Sequence, residues 1–159
     1  MSKKRIFAIS LSSLFAIAII AFIFWNSSRV AEESVATSDK FTLVLENILA
    51  FFNITPSWNT LSFIIRKAGH FIEYFALGGT VAVLLYSLLL SKKFIYIAPF
   101  VSAVVAIIDE FVIQRSTFER SPEWRDVGID FIGALLSACA VHLLICAYKK
   151  HKSRKENKK

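Results

Sequence analysis

Four nearly unbroken apolar stretches, 6–25, 69–90, 94–113 and 128–147, alternate with polar segments along the chain. Each is about the length, roughly 20 residues, that an α-helix needs to cross a bilayer. The first carries no charge, and the other three carry charge only near one end. The pattern predicts an all-α membrane protein with four transmembrane helices. The only sizeable segment between spans is 26–67. Its first part, 26–39, is polar and serine-rich and reads as a loop with short helical turns. The stretch 41–53 is apolar around a lone Glu46 and too short to span, which suits a short interfacial or re-entrant helix. Pro56-Ser57 then restarts a helix, with Ser57 as N-cap and Trp58 at headgroup level, that runs unbroken into the second span. In the segment 114–127, Ser121 as N-cap, Pro122 at the first helical position and Glu123 in the first turn signal a second helix start.

Composition agrees with the pattern: 55% of residues are hydrophobic and the mean hydropathy is +0.56. One domain, 1–148, followed by a basic tail, 149–159, accounts for the chain. The net charge of +7 is distributed rather than general. Lys3, Lys4 and Arg5 precede the first span, Lys92 and Lys93 fill the tight link between the second and third, and seven Lys and Arg residues follow the fourth. These are most of the basic residues, and the positive-inside rule assigns them, with both termini, to the cytoplasm. Segments 26–67 and 114–127 then lie outside. A basic tail against anionic lipid explains the charge better than nucleic acid does. No small-x-small cleavage site follows the first span, so it reads as a retained helix. Cys139 and Cys146 lie two turns apart on one span, about 10 Å, beyond disulfide reach, and read as small core residues.

The placement of ionisable residues changes the picture. His70 and Glu73 open the second span, Asp109 and Glu110 close the third, and Asp126 and Asp130 open the fourth. Such groups in hydrocarbon cost several kcal/mol on some scales, so they face partners or a function. With the predicted topology all six fall toward the outer side. Lys67, His70 and Tyr74 share a stripe, with Glu73 one turn from His70. Glu110 and Gln114 are i and i+4, with Asp109 on an adjacent face. Asp126 and Asp130 share a face, and Asp130, Gly133 and Ser137 form a stripe whose small residues, like Gly78 and Gly79, admit a neighbouring helix. The plainer reading is local: His70–Glu73 as a packing pair, Asp109 and Glu110 neutralised by Arg115 or Arg120, Asp126 as a helix-dipole partner. Convergence from three spans favours a site.

Three strings carry a resemblance. Arg66-Lys67-Ala-Gly-His70-Phe-Ile-Glu73-Tyr74-Phe-Ala-Leu77-Gly78, then Asp109-Glu110-x-x-x-Gln114 with Arg120, then Arg125-Asp126-Val-Gly-Ile-Asp130-Phe-Ile-Gly133-Ala134, resemble, in order, the motifs of the VanZ-like family of small bacterial membrane proteins. Ser27-Ser28 with Ser34 and Ser38 is similar to that family's outside segment. The resemblance covers nearly all of the chain except the tail. Ile113 stands where the family commonly has His, and Glu119 where it commonly has Gly. The resemblance implies a multi-pass protein of the bacterial cell membrane with a role at the envelope, and namesake members give low-level resistance to teicoplanin-type glycopeptides.

The leading expectation is therefore an envelope protein that binds or modifies an outer-leaflet or cell-wall-precursor ligand. Lys67, Arg120 and Arg125 would engage its phosphate or carboxylate, and His70, Glu73, Glu110 and Asp130 would orient it or handle protons, with Tyr74, Asp109, Gln114 and Asp126 completing the site. Its partners are membrane lipids and a cell-wall precursor or lipoglycopeptide. The alternatives are an acid–base or metal-assisted enzyme acting on a lipid-linked headgroup and, third, a proton-linked transporter. His70, Glu73, Glu110 and Asp130 are the catalytic candidates. A single histidine in the cluster and no His-x-x-x-His pair argue against zinc. No nucleophile elbow or Gly-rich phosphate loop is present.

Overall fold

Two serines start two of the long helices. Ser2 and Ser57 each take extended backbone and accept a hydrogen bond from the N–H three residues on, Arg5 and Thr60. The computed structural model describes residues 1–29, 31–117 and 122–157. Its helices are α1 (Lys3–Ser27), α2 (Ala31–Phe51), α3 (Trp58–Leu89), α4 (Ala98–Ile108) and α5 (Trp124–Glu156). A 3₁₀ segment, Lys92–Ile97, leads into α4, and a π-helical segment, Asp109–Gln114, continues it. Among the described residues there is no strand. Four helical stretches are long and apolar enough to cross a membrane: Lys3–Ser27, Trp58–Leu89, Lys92–Gln114 and Trp124–Glu156. They contain the four spans expected from the sequence except for Leu90, which ends α3 in the left-handed conformation. Outward-facing side chains such as Phe15, Phe100 and Leu144 are more than half exposed, which suits contact with lipid.

The central element is α3, which packs against α1, α2, α4 and α5. Tyr74, Leu77, Val81 and Ala82 supply the α3 share of the core, and Ile23, Ala98, Ala106, Val127 and Ala138 close it from the other helices. Small residues set how closely α3 and α5 approach. A Cβ placed on Gly78 would stand 2.5 Å from the Ala134 Cα, and one on Gly133 would stand 2.7 Å from the Phe71 carbonyl oxygen. Neither space admits a side chain without moving backbone, the small-residue contact expected of membrane helices. Paired contacts advance together along α3 and α5, from Lys67–Asp126 through His70–Asp130 to Lys149 over the Tyr86 ring, so the two helices run parallel. Helix α1 runs opposite to α3: Asn26 at its end reaches Glu73, while Arg5 at its start reaches the carbonyls of Ser87 and Leu88.

The bundle therefore has two chemically distinct ends. The end of α1, the first half of α3, the π segment and the start of α5 share a polar end. Lys3 to Arg5, Lys92 and the last turns of α5 share the other, where Lys92 Nζ also donates to Cys146 Sγ at 3.0 Å. Both cysteines are free thiols.

Three details differ from the sequence reading. The stretch 26–39 is not a loop, because α2 begins at Ala31 and spans 21 residues. The hydroxyls that suggested a loop turn back on their own helix: Thr37, Ser38 and Thr42 donate to the carbonyls of Glu33, Ser34 and Ser38, and Arg29 pairs with Glu33 at 3.3 Å. The helix stops at Asn53, in the left-handed conformation, where the Asn53 and Ile54 N–H groups return to the carbonyls of Ala50 and Leu49. Second, α5 starts at Trp124, so Pro122 precedes the helix and Glu123 occupies the extended N-cap position. Ser121, the expected cap, lies outside the described residues. Third, α5 continues through most of the basic tail to Glu156, with an i,i+4 contact of 3.8 Å between Lys152 and Glu156.

Candidate functional site

At the polar end, four elements bring ionisable and other polar residues together. From α3 come Lys67, His70, Glu73 and Tyr74; from the π segment Asp109, Glu110 and Gln114; from α5 Asp126 and Asp130; and from α1 Asn26 and Ser27. Asp109, Glu110 and Asp130 are 1% exposed, and Tyr74 is fully buried.

The π segment is the local device that makes this meeting work. Ordinary α-helical spacing puts Asp109 and Glu110 on different faces. Widening the helix stacks residues five apart as well as four apart. The Gln114 amide consequently donates to both carboxylates, to Asp109 Oδ2 at 3.2 Å and to Glu110 Oε2 at 2.5 Å. Asp109 Oδ2 also accepts from Ser27 Oγ at 2.9 Å, which ties the end of α1 to the segment. Glu110 Oε1 accepts from the Glu123 backbone N–H at 2.6 Å. That bond holds the extended residue before α5, and it explains why the helix starts where it does. Thr117 adds a longer contact to the Ser27 carbonyl at 3.4 Å.

The partners of the α3 residues are tertiary, not local. His70 Nδ1 stands 3.4 Å from Asp130 Oδ1, an ion-pair contact without the alignment of a full hydrogen bond. Glu73, expected beside His70, instead accepts from Asn26 Nδ2 at 2.8 Å. Lys67 forms a close ion pair with Asp126 and a second contact with Glu123 at 3.4 Å. The Tyr74 hydroxyl is buried with no hydrogen-bond partner among the described residues, within electrostatic reach of Asp109, Asp130 and Glu73. Arg115 makes no ion pair with Asp109 or Glu110. Arg125 is exposed and stands apart from these contacts. Arg120 lies outside the described residues. Among the described residues no group of three His, Cys, Asp or Glu side chains is placed to hold a metal ion.

Beside this cluster lies a cavity of about 430 Å³. Lys67, His70, Glu73, Gln114 and Asp126 reach it from the cluster, while Asp109, Glu110, Tyr74 and Asp130 sit behind that wall. The opposite wall is built from residues outside the sequence-predicted site. Asn26 and Ser27 of α1, Ser34, Thr37 and Ser38 of α2, and Arg66 of α3 all face the same space. Arg66, which lines the cavity, makes no ion pair among the described residues. The signal for α2 was present in its spacing: Ser34, Ser38 and Thr42 recur every four residues and form a hydroxyl stripe on the half-buried to buried side of the helix, while Val44, Ile48 and Phe51 are exposed on another side.

A family model described as VanZ/LLP1 matches residues 12–145, a range that contains every residue of this cluster. No curated protein and no solved structure matches the chain.

Proposed function

The chain belongs to the VanZ/LLP1 family and is a multi-pass membrane protein, and from that premise we propose that the cavity at its polar end binds the headgroup of a cell-envelope ligand at the outer membrane face. The observation that carries this reading is the cavity itself. Its volume of about 430 Å³ lies in the range of small-molecule sites. Its wall mixes Arg66, a cation with no ion pair among the described residues, with a carboxylate, Glu73, and with hydroxyl and amide groups. Such a wall suits a headgroup that carries a phosphate or carboxylate beside hydroxyl or amine donors. Lys67, held by two carboxylates, orders the cavity floor more than it offers a free charge. The family's link to teicoplanin-type glycopeptides fits a ligand on or near the cell-wall precursor.

A second reading, acid–base chemistry on a lipid-linked headgroup, is favoured by one observation. The His70 ring lines the cavity while its Nδ1 faces the Asp130 carboxylate, the arrangement by which a carboxylate orients an imidazole base. Profiling lipids and cell-wall precursors in a deletion strain against wild type separates the two. Binding predicts unchanged covalent species with altered glycopeptide accumulation at the surface. A changed covalent species moves the assignment to catalysis, and no change in either measurement contradicts both readings.

The outward orientation of the site rests on the basic residues gathered at the other end of the bundle. In intact cells, a membrane-impermeant maleimide is expected to label a cysteine introduced at Ser34 or Thr117 and to spare one at Lys92. Labelling at Lys92 alone would invert the topology and put the cavity in the cytoplasm.

A further inference from the structure

Two hollows follow the same seam, between α1 and α3. The polar cavity takes Phe22 and Asn26 from α1 and Gly69, His70 and Glu73 from α3. Toward the basic end, an apolar groove of about 530 Å³ is bounded by Leu11 and Phe15 of α1, Ala76, Thr80 and Val83 of α3, and Val141 of α5. The register shows that the two are continuous in direction. On α3, Glu73, Ala76, Thr80 and Val83 recur at three- and four-residue spacing and therefore share one face. On α1, Asn26, Phe22, Phe15 and Leu11 do the same at spacings of four and seven. From Glu73 to Thr80 the rise along α3 is about 10 Å.

The groove makes no polar demand. Its hydroxyls are satisfied by their own helices, Ser12 donating to the Ala8 carbonyl at 2.7 Å and Thr80 to that of Ala76 at 2.8 Å. Its lining includes the small residues Gly79 and Ala76, and Phe7 and Phe75 flank it. Its place within two candidate membrane spans puts it where hydrocarbon is the solvent.

We propose that the α1–α3 seam binds one lipid molecule as a unit, with its headgroup in the polar cavity and a hydrocarbon chain in the apolar groove. This rests on the reading of the cavity as a headgroup site and deepens it: the ligand class is a membrane amphiphile, delivered laterally from the bilayer. A polar hollow one to two turns above an apolar one, on matching faces of the same two helices, fits a molecule with that order of chemistry. A second copy of this chain would leave the polar half unfilled. A water-soluble ligand would leave the groove without a use.

The test uses the full-length protein in phosphatidylcholine nanodiscs containing a small fraction of phosphatidylglycerol with a diazirine on its acyl chain. Photolysis followed by peptide mass spectrometry is expected to place adducts on 7–15 and 75–83. The pair Ala76→Phe and Thr80→Phe, which fills the groove from surface positions, should cut that labelling severalfold and leave labelling at the outward-facing Leu143 and Leu144 unchanged. If the pair fails to accumulate, Ala76→Leu alone serves. Labelling spread over all outward faces in proportion to exposure, or chain-to-chain adducts at the groove, overturns the proposal. Envelope activity at matched abundance separates the two levels of the argument. Loss in both the filled-groove variant and Glu73→Gln supports the track. Loss only in Glu73→Gln overturns the track and leaves the cavity reading standing. Retention in Glu73→Gln overturns both.

Discussion

Replacing Lys67 by Met is expected to deplete the folded protein from the membrane. Lys67 is the only cation among the described residues in contact with Asp126, a residue 6% exposed, and with Glu123. Removing one partner of a buried pair leaves the other charge uncompensated, at a cost of about 3–5 kcal/mol. The check is the melting temperature and the monodisperse yield in detergent. Because the loss comes from a stranded charge, adding Asp126→Asn to Lys67→Met should restore much of the yield. A Lys67→Met protein that accumulates and melts like wild type would show that the pair is solvated and that the cavity floor is not built as described. The rescued double variant also separates architecture from function, since it recovers the fold while lacking the ordered floor of the cavity.

Glu110→Gln, although nearly isosteric, is the second large effect expected. Both Glu110 oxygens accept from fixed donors, the Gln114 amide at 2.5 Å and the Glu123 backbone N–H at 2.6 Å. A glutamine has one acceptor oxygen and one NH₂ group, so whichever way it turns, a donor meets a donor. Leaving a buried group unsatisfied costs about 1–3 kcal/mol. The expected readout is a lower melting temperature and earlier fraying at the start of α5, followed by amide exchange at 124–127. Unchanged exchange there would mean that Glu110 does not pin the α5 start. By contrast, Glu73→Gln keeps an oxygen to accept the single bond from Asn26, so charge can be removed at that position with the fold intact.

How much of this was legible in the sequence follows from the range of the interactions involved. Span positions and the Ser57 start depend on local hydropathy and capping, and both are read from adjacent residues. That small residues at Gly78 and Gly133 admit a close neighbour follows from stripe spacing and was also readable, whereas the pairing of α3 with α5 at those positions came from the structure. Partner choice was not. His70 and Glu73 are one turn apart, so helical spacing offers them to each other, yet Asp130 and Asn26 take those places across helix interfaces. Asn26 gave no signal beyond that of a polar residue ending a span. The π segment escaped because tertiary donors hold its carboxylates, the Ser27 hydroxyl on Asp109 and the Glu123 N–H on Glu110: Gln114 reaches both carboxylates only when the helix widens, and no local propensity encodes that. In α2, hydroxyl-rich composition suggested a loop because the same side chains cap turns elsewhere; here they bond back to their own helix and present a polar face to the cavity.

The central claim is that the cavity between α1, α2 and α3 is a functional headgroup site and not only a well-packed helix end. Glu73 tests it most directly, because it lines that cavity and its single described hydrogen bond survives conversion to an amide. The measurement is glycopeptide susceptibility of cells expressing Glu73→Gln, compared with wild type at matched membrane abundance and matched melting temperature. The account predicts loss of most of the envelope activity with abundance and melting unchanged. Full activity at normal abundance would contradict it, and activity that falls only in step with abundance would make Glu73 part of the packing and leave the cavity without a function.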